Sequence, residues 1–257
     1  MADTSFGASA GLQDGSGDPG LLDAMHAYSG AFSLSGYFPH YRTPPHPTPR
    51  CTTLTSSVEL LPHIPGLPAV KNFEMHCRSL LSPRMALGTK RNDVFTQFLS
   101  TPEEAKMPEG EIVASTILVI IAGADTTSSV FAAALRALAR HPDVQEKLWG
   151  AVEAAIPSGE EITPENVKGI EYLEAVINET LRLWNPVPGG TQNVLGSESV
   201  EVAGRVLPGY TEVRYPALGL MADERYFPEG NKWIPERWGE RQGELVKDKR
   251  AFVPFSL

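Results

Sequence analysis

Between Met107-Pro108-Glu109 and His141-Pro142 the chain holds one long, mostly apolar stretch with no internal proline. Proline is tolerated in a helix's first turn, and the acidic Glu109 and Glu111 suit the positive end of the helix dipole. Pro142 then stops the helix. About 33 residues at ~1.5 Å each predict a rod roughly 50 Å long, well beyond the usual globular helix. Its run free of charge and proline, Ile112 to Ala124, falls short of the ~20 residues that cross a bilayer. Asp125, Thr126 and Thr127 break the apolar pattern in mid-helix.

Other helices are predicted around it. Leu21 to Leu34 forms a short one, with Leu22, Met25, Ala27 and Phe32 sharing a face. Prolines from Pro39 to Pro49 end it, and 37–68 reads as irregular, long for a loop in a compact domain. Helical spacing returns over Ala69–Leu81 and Asp93–Leu99. A helix follows from Pro142 to just before Pro157, and another from Glu171 to Trp184, closed by Pro186 and Pro188. Tyr172, Leu173, Val176, Ile177, Thr180 and Trp184 lie at helical spacing on the latter. Beyond residue 194 the period changes. Ser199–Leu207 reads as a hairpin around Ala203-Gly204, and Thr211–Tyr215 alternates like a strand. The fold class is mainly α with a small antiparallel β-sheet (α+β).

At 257 residues and 42% hydrophobic, the chain can bury a sizeable core. Its net charge of −9 argues against a phosphate-backbone partner, since nucleic-acid binding normally shows a basic face. Two cysteines, Cys51 and Cys77, make no disulfide framework and point to a reducing compartment. Met1–Gly7 has neither the basic start nor the apolar stretch of a secretory signal, so the chain is expected to be soluble.

Two constellations carry chemistry. Glu179 and Arg182 sit three apart on one helix and are neighbours. An arbitrary pair of this kind is a solvated surface pair worth a few tenths of a kcal/mol, but this one lies on a mostly apolar helix. Asp125 and Thr126 allow two readings. One is a hydrated face whose hydroxyls bond back to preceding carbonyls and bend the helix. The other is a proton path, since a positioned hydroxyl and carboxyl can deliver protons to a reacting group. Gly123, one turn earlier, lets the backbone approach a flat ligand.

In chain order, Ala122-Gly123-Ala124-Asp125-Thr126-Thr127, Glu179-Thr180-Leu181-Arg182, Pro235-Glu236-Arg237-Trp238 and Phe252-Val253-Pro254-Phe255 resemble the cytochrome P-450 family of haem-thiolate monooxygenases. The resemblance is strong over 107–257 and weak over 1–106, and it makes 1–257 a partial domain of that fold, with the long helix at its centre. It implies haem b as cofactor, an apolar small-molecule substrate that receives one atom of dioxygen, and an NADPH-dependent reductase as electron donor. By the same resemblance Thr126 and Asp125 serve oxygen activation, and Ala122, Gly123, Thr126 and Phe255 flank the haem. Val187 faces the substrate. Glu179, Arg182 and Arg237 form a buried triad that pins the loop beneath the haem. Burying three charges costs several kcal/mol per ion unless each is paired.

The chain also departs from the family. The thiolate that favours O–O cleavage belongs in a glycine-rich loop after the Phe255 position, and the sequence stops at Leu257. Cys51 lies in the irregular stretch and Cys77 in an ordinary helix. His26, His40, His46, His63, His76 and His141 show no metal-ligand spacing. No metal ligand is therefore assigned, and the isolated chain is expected to show no turnover. The alternative is a non-catalytic fragment or protein-binding relic of such an enzyme. Thr191-Gln192-Asn193 stands where many relatives carry an arginine or histidine for a haem propionate, and it can only hydrogen-bond there. At the front, Asp3-Thr4-Ser5-Phe6-Gly7 matches a point well inside the family's fold, which leaves the membrane anchor outside the chain. Intact relatives are expected at the endoplasmic reticulum membrane, and this chain in the cytoplasm.

Overall fold

The computed structural model describes residues 20–37, 68–88, 107–156 and 158–256, with 17, 90, 93, 95 and 96 besides. The irregular stretch expected between Tyr37 and Pro68, Cys51 within it, and the Asp3–Gly7 motif lie outside the described residues. The chain divides into two compact units, one through Asp125 and one from Thr126.

The first unit is built from α1 (Gly20–Tyr37), α2 (Pro68–Ala86) and the N-terminal part of α3 (Glu109–Arg140). Its core joins Leu21, Ala24, Met25 and Tyr28 of α1 to Phe73, Cys77 and Leu81 of α2, with Phe95, Ile112, Val113 and Ile117. The α1 positions follow i, i+3, i+4, i+7, one stripe of a helix. That stripe starts at Leu21, one residue before the predicted face: Leu22 is exposed, Ala27 is half-buried and Met25 is buried. Ile120, Ile121 and Ala124 extend the α3 seam against the same core. Each large side chain so buried stabilises the unit by about 2 kcal/mol.

α2 runs one turn past the predicted end at Leu81, through Pro83. The reason lies at Arg84, which has no solvent exposure although it is charged. Arg84 Nε and Nη2 donate to Asp93 Oδ2 and Oδ1 at 2.8 and 2.6 Å, and Nη1 donates to the Gly88 carbonyl at 2.7 Å. Nη2 also reaches Thr96 Oγ1 at 2.9 Å. The helix end, its Gly88 turn and the Asp93–Thr96 turn are thus held by one guanidinium. Of the predicted Asp93–Leu99 helix, a helical turn at 95–96 lies among the described residues.

α3 is continuous for 32 residues, as its prolines dictate. Leu118, Phe131 and Leu135 on it are more than half exposed. By length and composition alone it is long and apolar enough to cross a membrane. That is a wider span than Ile112–Ala124, because apolar residues resume after Thr127.

In the second unit α4 (Pro142–Ala155) follows directly, then α5 (Pro164–Val167) and α6 (Glu171–Leu183). Thr163 opens α5 with a reciprocal cap: its hydroxyl accepts from Asn166 N while Asn166 Oδ1 accepts from Thr163 N. Ala137, Val144, Val176 and Trp233 form one small core, and Ala217, Met221 and Val253 another, around α7 (Ala217–Met221). β1 (Gln192–Val194) pairs antiparallel with β4 (Glu212–Arg214), Asn193 facing Val213. β2 (Val200–Val202) and β3 (Arg205–Leu207) form the predicted hairpin. Its turn residues Ala203 and Gly204 both have positive φ, 50° and 76°, as a two-residue hairpin turn requires. The small sheet is thus two separate two-stranded ladders. A 3₁₀ turn over Pro235–Trp238, α8 (Gln242–Leu245) and a second 3₁₀ turn over Lys249–Ala251 complete the described elements.

Hydrogen bonds from Arg84 hold the Asp93 carboxyl down at about 2, against the effect of burial. A carboxylate whose folded pKa is depressed contributes stability above its unfolded value, and that contribution fades as pH falls through the folded one. Acid unfolding of the first unit is therefore expected to steepen below about pH 4 and run toward about pH 2. Asp93→Asn should flatten that limb in a urea series recorded across the range.

Candidate functional site

α6 places Glu179 and Arg182 on one buried stripe with Ala175, Val176 and Thr180. Arg237 arrives from the 3₁₀ turn, where Pro235 fixes the entry of the chain. All three charged side chains have 0% exposure. Arg182 Nε and Nη2 grip Glu179 Oε2 and Oε1, each at 2.9 Å. Arg237 Nε donates to Glu179 Oε1 at 3.1 Å. The backbone N–H of Ile234 and the indole N–H of Trp238 complete the carboxylate's shell at 3.0 Å each.

The guanidinium donors left over go to backbone carbonyls. Arg182 Nη1 reaches Met221 O and Gly230 O at 2.7 and 2.8 Å, and Nη2 reaches Lys232 O at 3.0 Å. A guanidinium has five N–H donors, and Arg182 makes five bonds. Arg237 holds Pro228 O, Leu245 O and Glu229 O at 2.7, 2.8 and 3.2 Å. Two cations face one carboxylate, so carbonyl dipoles carry the balance. Burial pushes Arg237 below its ordinary value, Glu179 opposes this, and the like charge of Arg182 adds to it.

This network fixes the backbone from Met221 to Leu245. A Cβ on Gly230 would collide with the Ala222 carbonyl, so only glycine lets this turn close around Arg182. Glu229 sits beside it at φ 56°, a left-handed conformation that costs about 1 kcal/mol and is held there by the surrounding bonds. Trp238 carries the network onward. Its ring lies 4.3 Å from Phe252, centroid to centroid.

Phe252 leads into Phe255, which is 83% exposed. Asn185 Nδ2 donates to the Pro254 carbonyl at 3.0 Å, while Asn185 Oδ1 accepts from Val187 N at 2.7 Å. Thr191 and Ser256 hydroxyls meet at 2.8 Å. The segment bearing Val187, itself 45% exposed, is thereby tied to the segment bearing Phe255. Gly190 in that loop has φ 69° and lies against the Tyr215 carbonyl, where a side chain would not fit.

On α3, Ala122, Gly123, Asp125 and Thr126 follow one another in unbroken helix. Ala122 is exposed, and Gly123, Asp125 and Thr126 are half-buried. Asp125 Oδ1 lies 3.9 Å from His26 Nε2 of α1.

In the second unit Phe255 and Val187 present apolar side chains to solvent, and in the first unit Ala122 is exposed beside Gly123. An iron ligand is another matter. Cys77 is fully buried in the first unit's core, and burial, reinforced by Glu74, pushes its thiol up to about 12. It is a neutral packing residue, since the thiolate is the metal-binding form. Among the described residues no group of three or more His, Cys, Asp or Glu is placed to hold a metal ion.

Sequence reasoning missed four contributors here: Trp238, Ile234, Asn185 and Glu236. Glu236 accepts from Tyr172 Oη at 2.6 Å and from Lys147 Nζ at 3.0 Å, which fastens the 3₁₀ turn to α6 and α4. Trp238 and Glu236 were visible beside Arg237 in the Pro-Glu-Arg-Trp stretch. Asn185 carried no signal, because its partner is 69 residues away.

A family model described as cytochrome P450 matches residues 3–257. The cytochrome P-450 monooxygenase orf5 of Eupenicillium brefeldianum is 37% identical over 188 residues, which cover 72% of this chain and 37% of that protein. Cytochrome P-450 3A13 of Mus musculus is 35% identical over 67% of this chain and 35% of its own length. Cytochrome P-450 67 of Uromyces fabae is 33% identical over 72% of this chain and 36% of its own. The chain thus spans little more than a third of the length of these relatives.

Removing the shared carboxylate leaves two buried cations facing each other. Glu179→Ala should cost about 3–5 kcal/mol, read by urea unfolding of the second unit through tryptophan fluorescence. Arg182→Lys should also be severe, because an ammonium has three donors for five acceptors. Thr191→Ala, on the surface, should stay within about 0.5 kcal/mol.

Proposed function

This chain belongs to the cytochrome P-450 family, and from that premise we propose that it is part of a haem-dependent monooxygenase acting on an apolar organic substrate, with electrons from an NADPH-dependent reductase. The observation that carries the reading is the Glu179–Arg182–Arg237 network. Three buried charges do no chemistry, and an apolar cluster would pack at lower cost. Their use is to fix one backbone path, and that path ends at exposed Phe255.

Haem, when bound, supplies the iron chemistry that activates dioxygen. The chain's own residues do the rest. On the family premise, Phe255 and Val187 of the second unit and Ala122 and Gly123 of the first are each assigned to the ring and substrate, and glycine at 123 allows close backbone approach. Thr126 Oγ1 and the Asp125 carboxyl hold and pass a proton, a service typically worth 10²–10⁴-fold. Glu179, Arg182 and Arg237 hold the Met221–Leu245 path. Thr191 and Asn193 supply neutral contacts where a propionate would lie. The same family premise supports an endoplasmic reticulum membrane location for the intact protein, with α3 as a core helix and not an anchor.

One feature favours a second reading. The exposed Leu118, Phe131 and Leu135 of α3 suit a non-catalytic chain that binds a partner along that helix.

A single experiment separates the two. In the intact, haem-loaded protein with reductase, Thr126→Ala should lower product formed per NADPH consumed by tenfold or more. Cys77→Ser should leave haem retention and product yield unchanged. If Thr126→Ala has no effect on a working enzyme, the proton-delivery role is wrong. If haem is not taken up at all, the binding-protein reading prevails.

A further inference from the structure

The contact between His26 and Asp125 has no part in the reading above. Its geometry is set by core packing. Met25, which precedes His26, and Ala124, which precedes Asp125, both pack in the first unit's core. Consecutive helix positions are offset by about 100°, so residues following core positions lie at the rim of the buried stripe. His26 and Asp125 accordingly meet at the rim of the α1–α3 seam, Nε2 to Oδ1 3.9 Å, with side chains 63% and 37% exposed.

Among the described residues of this unit, the charges that follow are engaged elsewhere or sit on other turns. Glu74 and Arg78 of α2 pair at 2.8 Å, and Arg78 also reaches Glu109 at 3.8 Å. Arg84 is buried with Asp93. Asp23 lies one turn before His26 on α1, Lys71 and His76 are on α2, and Glu111 is in the first turn of α3.

We propose that His26 is the positioning and proton-supplying partner of Asp125, linking the acid of α3 to solvent. This rests on the monooxygenase reading, in which Asp125 and Thr126 deliver protons. An imidazole takes up and releases protons under physiological conditions. The more exposed ring collects a proton from water. A gap of 3.9 Å is too long for a hydrogen bond, so the transfer requires the exposed ring to approach the carboxyl. Nε2 then gives its proton to Asp125 Oδ1, and the ring recovers one from solvent, so atoms and charge balance over the cycle. Between transfers the imidazole orients the carboxyl.

The test needs two readouts. In the 257-residue chain, Asp125→Asn should move the His26 ring nitrogen resonances, and Asp23→Asn should move them less. In the intact, haem-loaded protein, His26→Phe should lower product per NADPH severalfold and enlarge its solvent deuterium isotope effect. A structural role alone would not change the isotope effect, and His26 lies outside the core, so its replacement removes no buried contact. Unmoved ring resonances in Asp125→Asn overturn the proposal. So does a His26→Phe protein with unchanged coupling and isotope effect beside a Thr126→Ala protein that is impaired. If Thr126→Ala is itself without effect, the underlying reading fails, even where the resonances show the pair.

Discussion

Two guanidinium groups and one carboxylate, all out of contact with water, decide the path of the second unit's chain. Bringing such ions out of solvent costs several kcal/mol each, and the arrangement offsets this by leaving few donors idle. Arg182 alone makes five bonds, to one carboxylate and three carbonyls spaced between Met221 and Lys232. A segment with little regular structure is thereby given one conformation. Apolar packing would bury the same volume without specifying the backbone. The strained φ at Glu229 and the obligatory glycine at 230 make sense only because the charges impose the path.

The consequences spread outward through aromatic contacts. Trp238 bonds Glu179 with its indole nitrogen and packs its rings against Phe252. Phe252 precedes the Pro254 carbonyl held by Asn185. A buried ionic centre thus fixes exposed apolar residues some distance away, where a ligand can meet them. The first unit uses the same device on a smaller scale: Arg84, equally buried, joins a helix end to two turns. In both units arginine is used where several oxygens must be held at fixed angles, which its planar fork does better than an ammonium.

What the sequence revealed follows from how local each signal is. α3 was legible because prolines mark both ends, and the β2–β3 hairpin because Ala203-Gly204 sits between alternating strands. The triad was legible because Glu179 and Arg182 are neighbours on one helix and Arg237 lies in a recognisable stretch. The α1 face was off by one residue: Leu21 and Leu22 are equally apolar, and only contact with Phe73 and Cys77 of α2 chooses between them. β1 was invisible, since Gln192-Asn193-Val194 has no alternation and becomes a strand by pairing with β4 some twenty residues on. Arg84 with Asp93, and His26 with Asp125, were hidden because a charged residue reads as surface until its partner is placed.

The central claim is that the buried network exists to present a haem-facing surface. The most direct test is to add ferric haem to the isotopically labelled protein and map which backbone resonances the paramagnetic iron broadens. Broadening centred on Phe255 and Val187, with α4 and α5 untouched, is the predicted result. Broadening scattered over the surface, or centred away from those residues, would contradict the account.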